Sequence, residues 1–347
     1  MAFSKVLPLA FVLAVSGCGH TLPFSSGEDG SSGPLIPGQP AQITYSPGQD
    51  LIPAWLPDGR AFVFTAERRD RADHDRCLAF MPQGGGTISR YVCSTVAADD
   101  TLNVYDEAAF QGDSTVYVRA STERFLPGLG PDRQSLVIAP IANPLAARQL
   151  QTIPFTTSWG ATYDAISHVA SLGAGRVAFL GEHVSFPRGC SSCAPDTVRY
   201  GIGIVLADIS GAGVVLTRMP DGDSASSLAS SANGDTVYFT RYNDTHVFRR
   251  TLSTSVTDTL LDLVVDVPRD LSVSSGKLAL IVGGSPGSPT QSDRGGFLQL
   301  IEGQTITPLG DSTSLFRRPA LSPDGAHLVV SAWTGAPTAD LWLFALP

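Results

Sequence analysis

Few stretches of this 347-residue chain carry residue types at a spacing that chemistry needs. Gly283-Gly284-Ser285-Pro286-Gly287 fits the G-x-S-x-G pattern, in which a serine nucleophile sits on an elbow between a strand and a helix. Pro286 and Pro289 bar a helix directly after the serine, so a loop between strands is expected instead. Cys190-Ser191-Ser192-Cys193 has the C-x-x-C spacing of redox and metal sites. No second C-x-x-C accompanies it, Ala194 stands where haem attachment needs His, and Pro195 marks a long loop, which leaves a local disulfide. His74 lies among Asp70, Asp73 and Asp75, oxygen ligands suited to a hard cation. That spacing matches no calcium loop, and interleaved arginines offset the charge, as on a solvated hairpin tip. Neither a Gly-rich phosphate loop with its Lys nor H-E-x-x-H occurs.

Composition narrows the classes further. The 23 Lys plus Arg face 32 Asp plus Glu, a formal net charge of −9 that becomes −10 once the segment holding Lys5 is removed. With no basic run, nucleic acid is excluded as a partner. Hydrophobic residues make up 43% and charged ones 16%, which supplies a large core and excludes intrinsic disorder for most of the chain.

The elements that must position any site are short strands in a repeat. The last copy reads RPALSPDGAHLVVSAW from Arg318 to Trp333 and leads to DLWLFAL; the first reads IPAWLPDGRAFVFTAE and leads to RCLAFMP. Four weaker copies turn at Gly112-Asp113, Gly173 to Gly175, Asn233-Gly234-Asp235 and Ser275-Gly276. Copies one to five each end on a fourth strand such as TISRYVC or DTLLDLV, whereas the sixth stops at Pro347. The missing strand is at the other end: AQITYSPGQDLIPAWLPDG mirrors QTITPLGDSTSLFRRPALSPDG, so Ala41 to Tyr45 is expected to complete the last unit. Units this small cannot bury both faces alone and must stack around an axis.

Pro57-Asp58-Gly59 and Pro323-Asp324-Gly325, in their turns, resemble the PD40 (WD40-like) repeat of TolB-type β-propellers. The resemblance spans residues 41–347 and implies an all-β fold: a six-bladed β-propeller of four-stranded blades closed by the N-terminal strand. TolB's amino-terminal α/β domain has no counterpart, so TolB's partners do not carry over.

Residues 1–17 have the form of a signal peptide, with Lys5 ahead of an apolar run from Val6 to Val15 too short to span a bilayer. Val15-Ser16-Gly17-Cys18 resembles the lipobox of bacterial lipoproteins, which implies lipidation at Cys18 and stable anchoring by several acyl chains. Gly19 after that cysteine implies the outer membrane of the cell envelope where the cell has one. Residues 18–40 are then a Gly/Ser/Pro-rich flexible tether.

Four cysteines remain after Cys18, an even number suited to an oxidising compartment. If the strands of RCLAFMPQGGGTISRYVC pair about Gly85, residues whose numbers sum to 170 face one another. Met81 then opposes Ser89 and Cys77 opposes Cys93, within disulfide reach.

On such a scaffold the turns after first and third strands open on one face, and all other connections on the other. The second class is long: Glu67 to Asp75, Ser121 to Gln134, Pro154 to Tyr163, Glu182 to Gly201 and Gly283 to Gly296. It bears Arg69, Arg124, Arg188, Arg241, Arg294 and Trp159, types suited to anionic groups and to a buried anchor. The expected function is a lipid-anchored, monomeric binding or assembly module for a protein, peptide or glycan, with no cofactor. The alternative is a propeller enzyme of lyase, lactonase or dehydrogenase type with a metal or cofactor at the tunnel mouth. For that reading Asp106, Asp164 and Asp270, ahead of three first strands, are the candidate ligands.

Overall fold

The computed structural model describes residues 36–37, 39–45, 48–67, 76–93, 101–123, 133–185, 198–264, 266–283, 295–310, 314–333 and 338–347. Among the described residues every regular element is a strand. The first is β1 (Pro40–Gln42), followed by β2 (Asp50–Trp55), β3 (Ala61–Glu67), β4 (Arg76–Pro82) and β5 (Ser89–Val92). Next come β6 (Thr101–Gln111), β7 (Ser114–Glu123), β8 (Arg133–Pro140) and β9 (Arg148–Ile153), then a small hairpin of β10 (Phe155–Thr156) and β11 (Thr162–Tyr163). The third repeat forms β12 (Ala165–Ser171), β13 (Arg176–Ser185), β14 (Val198–Asp208) and β15 (Val215–Arg218). The fourth forms β16 (Ala225–Ser230), β17 (Thr236–Arg241), β18 (His246–Thr251) and β19 (Val256–Asp262). Last are β20 (Pro268–Ser274), β21 (Lys277–Val282), β22 (Phe297–Glu302) and β23 (Thr305–Leu309), then β24 (Leu315–Leu321), β25 (His327–Trp333) and β26 (Asp340–Ala345).

The architecture is a β-propeller. β2, β6, β12, β16, β20 and β24 pack side by side around an axis, each against the next and β24 back against β2. The strands β12–β15, β16–β19 and β20–β23 form three separate antiparallel sheets, and β24, β25, β26 and β1 form a fourth. In that last sheet Ala41 lies opposite Leu343, so the start of the domain closes its end. The closing strand is Pro40–Gln42 rather than Ala41 to Tyr45. Beyond Gln42 the pairing continues with Ile43 N–H on Leu341 C=O and then passes to a side chain, as the Thr44 hydroxyl accepts Leu341 N–H at 2.8 Å. Trp55 adds a buried bond across the same seam, its indole N–H on Ala320 C=O at 2.8 Å.

Among the described residues six separate four-stranded sheets do not form. The first two repeats share one eight-stranded sheet, joined by parallel pairing of Arg76 in β4 with Val104 in β6. The cause is a short fourth strand: β5 pairs with β4 only from Leu78 to Phe80, and the Arg76 end stays open for the long β6.

Alternation explains why these strands are apolar on both sides. In β25, Leu328, Val330 and Ala332 face Ala279 and Ile281 of β21, whereas Val329 faces the cluster of Phe62 and Phe64 of β3. Each such fully buried Leu, Ile or Phe contributes about 1.5–3 kcal/mol. The turns are built by side chains as well as glycines. Asp58, Asn233 and Asp324 each accept the backbone N–H two residues on, at 3.1, 3.1 and 3.0 Å. Gly234, at φ 69°, has no alternative: a Cβ there would overlap the Leu172 carbonyl of the preceding sheet.

In the first hairpin Cys77 and Cys93 are disulfide-bonded, with Cα atoms 4.6 Å apart. Leu78 faces Val92 beside the bond, in the expected register. A bulge then shifts the pairing so that Phe80, not Met81, faces Ser89.

Candidate functional site

Every axial strand carries a bulge at the same place: between Leu51 and Ala54, Asp106 and Ala109, Ser167 and Ala170, Ala225 and Ser227, Pro268 and Asp270, and Arg317 and Ala320. A bulge re-aims a side chain and raises the local twist. Ile52, Glu107, His168 and Arg318 each sit at positive φ, 54°, 54°, 49° and 51°. For side chains other than Gly such conformations cost about 1–3 kcal/mol and are kept where surrounding contacts over-determine them.

Those contacts are a ring of charge around the axis. Both guanidinium Nη atoms of Arg318 bond the Glu107 carboxylate, which also accepts His168 N–H at 2.8 Å. His168 Nε2 lies 3.1 Å from Asp270 Oδ1. The other Asp270 oxygen is 3.3 Å from Arg318 N and 3.4 Å from Arg317 Nε. Ser167 Oγ, 3.0 Å from His168 Nδ1, donates to Glu182 Oε1 at 2.5 Å. The Asp270 and Glu107 side chains are 4% and 7% exposed, against 16% for Arg318.

Burial alone would raise the Asp270 carboxyl. Arg317, the His168 bond and Arg318 outweigh it and hold the group well below the usual carboxylate range. Burial raises the Glu107 carboxyl, opposed by Arg318 and His168. Burial likewise works against the Arg318 charge, but Glu107 and Asp270 more than offset it and raise its pKa. The ring sits at one end of a tunnel of about 400 Å³ lined by all the axial strands, whose walls are mostly small or apolar: Ala54, Ala109, Ala170, Ala229, Ala320 and Trp55 among them.

Of the residues singled out in the sequence, Asp270 belongs to this ring. Asp106 adjoins it, accepting the Thr65 hydroxyl at 2.6 Å with Arg76 at 3.8 Å. Asp164 precedes β12 and donates its N–H to the Glu182 carbonyl. Arg241 lies with its guanidinium carbon 4.2 Å from the Phe248 ring centroid and donates to Asp221 C=O, so it is already packed. Trp159, between β10 and β11, is partly buried against the cluster around Ile153, Tyr163 and Phe179. Cys18, Arg69, Arg124, Arg188, Cys190, Cys193 and Arg294 lie outside the described residues, as do the His74 segment and most of the G-x-S-x-G stretch.

Glu107, His168 and Arg318 were missed, yet a signal existed. Two residues before the alanine of copies one, two, three and six (Ala54, Ala109, Ala170, Ala320) the repeat reads Ile, Glu, His and Arg. A fixed position in a buried strand that accepts opposite charges marks a place where those charges meet.

No family model matches the chain, and no curated protein does. Solved structures do match. A putative TolB from Agrobacterium tumefaciens is 14% identical, with 88% of this chain and 93% of that one covered at a TM-score of 0.51. An oligogalacturonate lyase in complex with manganese is 11% identical, with 92% and 98% covered at 0.51. A TolB from Acinetobacter baumannii is 14% identical at 0.49, and this chain, covered over 85%, spans only 63% of its length. At such identities the likeness is one of fold: these are propellers.

The donor set here does not suit a metal of the kind the lyase holds. Glu107 and Asp270 already accept from guanidinium, imidazole and backbone donors, and an incoming cation would meet Arg317 and Arg318. Among the described residues no three His, Cys, Asp or Glu side chains are grouped as a metal would need.

Proposed function

We propose that the chain is a lipid-anchored, extracytoplasmic six-bladed propeller that works as a binding or assembly module, offering its long-loop face to a protein, peptide or glycan. The observation that carries this reading is the tunnel mouth. Its carboxylates are engaged by cations of the same ring, so the axis is a self-contained structural belt and recognition falls to the loops around it. Six blades are supported by the core itself, which divides into six clusters, one at each junction between successive repeats, the sixth back to the first. On this count the eight-stranded sheet is two blades bridged at one residue pair. The anchor rests on Val15 to Cys18, and the tether would join the ring at β1.

Peptide and glycan arrays probed with the purified chain test the reading. Binding should fall at least tenfold, about 1.4 kcal/mol, when Arg69, Arg124, Arg188 and Arg294 are replaced together by Ala, and should survive Asp58→Asn on the opposite face. Manganese-dependent cleavage of oligogalacturonate by the same preparation would instead favour an enzyme.

A further inference from the structure

We propose that the face opposite the long loops is a membrane-contact surface, on which uncharged turns of the second, third and fourth repeats rest in the headgroup region of the bilayer that holds the anchor. On that face the turn between third and fourth strands closes over the turn between first and second. Ile141 N–H donates to Asp113 C=O at 2.8 Å, Ile209 N–H to Gly175 C=O at 2.7 Å and Leu252 N–H to Asp235 C=O at 2.7 Å. The three outer turns, residues 141–147, 209–214 and 252–255, contain no Asp, Glu, Lys or Arg. Leu145 within the first, and Val215 and Val256 directly after the other two, are 63%, 65% and 54% exposed. Ala142, Ala146 and Ala212 beside them are exposed as well. In the fifth repeat the same turn holds Glu302 and Gln304, and in the first it runs through Gln83 and three glycines. The apolar tips therefore occupy one arc, since the second, third and fourth repeats are successive neighbours around the axis.

The place where the chain joins the propeller says what covers this arc. β1 begins at Pro40, opposite Phe344 at the end of β26, and that end lies beside the Pro323–Gly325 turn, where Leu346 N–H donates to Ala326 C=O at 2.8 Å. The tether thus leaves from the same face as the three turns, and Cys18 precedes Pro40 by 22 residues. A flexible chain of that length spans about 25 Å on average, so the anchor draws this face, and not the long loops, toward the bilayer. An exposed aliphatic tip gains by entering the boundary between headgroups and acyl chains, a gain that a charged neighbour would cancel. The charges nearest the arc do not favour anionic lipid, because Arg148 and Arg176 are outnumbered by Asp113, Asp208 and Asp235. The contact is therefore apolar, made with neutral lipid and insensitive to salt.

This inference rests on the lipid anchor proposed above and adds an orientation to it: the long loops point away from the membrane, toward what they bind. Three aliphatic tips alone hold a protein on a bilayer only weakly. They act once the anchor has brought them to the surface, where the contact is intramolecular and the effective concentration of lipid is high. The arc orients the domain; the acyl chains hold it there.

The test is quenching of an added tryptophan by brominated phosphatidylcholine in vesicles carrying the full acylated chain, with acylation of Cys18 read by mass spectrometry of the same sample. In Leu145→Trp, Val215→Trp and Val256→Trp the emission gained over the native chain should fall at least twofold in brominated vesicles, and equally so at high salt. Tyr242→Trp, in the turn between β17 and β18 on the long-loop face, should keep its added emission. An acylated chain whose three tips stay unquenched, or whose Tyr242→Trp variant is quenched as strongly, overturns the proposal. If Cys18 carries no acyl chain, the anchor reading fails by itself and the contact is tested apart from it. The chain with hexahistidine in place of residues 1–18, held on phosphatidylcholine vesicles by a nickel-chelating lipid, must then give the same quenching pattern, and its absence overturns the contact.

Discussion

Glu107 and Arg318 come from strands far apart in sequence and meet at the axis with little access to water. Removing one partner of such a pair leaves the other as a buried, unpaired charge, at about 3–5 kcal/mol. Urea denaturation of Glu107→Gln and of Arg318→Met should each show a loss of this size. The double variant Glu107→Leu with Arg318→Met should recover most of it, because no charge is then stranded. Acid behaviour follows from Asp270. Its folded pKa is depressed, so its contribution is fully present above its ordinary range, about pH 4, and is lost as pH falls below that. Stability measured between pH 4 and pH 2 should therefore decline less steeply in Asp270→Asn than in the native chain. The ion pairs themselves were illegible in the sequence, because a charged residue within an apolar strand names no partner until strands from different repeats are brought to one axis. Asp270 was legible only as a carboxylate ahead of a first strand.

The strands and tight turns were largely legible, since apolar residues at period two with Asp-Gly or Asn-Gly between them leave few alternatives. Bulges were not: one extra residue shifts the pairing without altering the local pattern, and this moved Phe80 opposite Ser89. The fusion of the first two repeats was equally hidden, because it depends on where β5 stops. The Cys77–Cys93 bond fixes the register of that short strand. Closing a loop of this length contributes about 3 kcal/mol in the chain-entropy model, and replacing both cysteines by Ser should lower the unfolding free energy by that order in urea. At the seam, a chain starting at residue 39 should melt like the native domain. One starting at residue 46 loses β1 and exposes the edge of β26, so it should melt earlier and aggregate, as light scattering during the melt would show.

Taken as a whole, the ring is held by clusters that each span two neighbouring repeats, with none central among the described residues. That leaves the axis for a tunnel whose polar end is a ring of paired charges. Connection lengths suggest a face for an arginine but not its availability, as Arg241 shows: its guanidinium is engaged by Phe248 and Asp221. A binding scaffold and a metal enzyme on this fold differ in whether the tunnel carboxylates are free to take a cation. The metal content of the full chain, purified without chelator, carried through gel filtration and read by plasma mass spectrometry, decides between them. With Glu107 and Asp270 engaged by Arg317, Arg318 and His168, no metal should be retained in stoichiometric amount. A full equivalent of manganese or calcium held through the column by the native chain, and lost in Asp270→Asn, would contradict the binding-module reading.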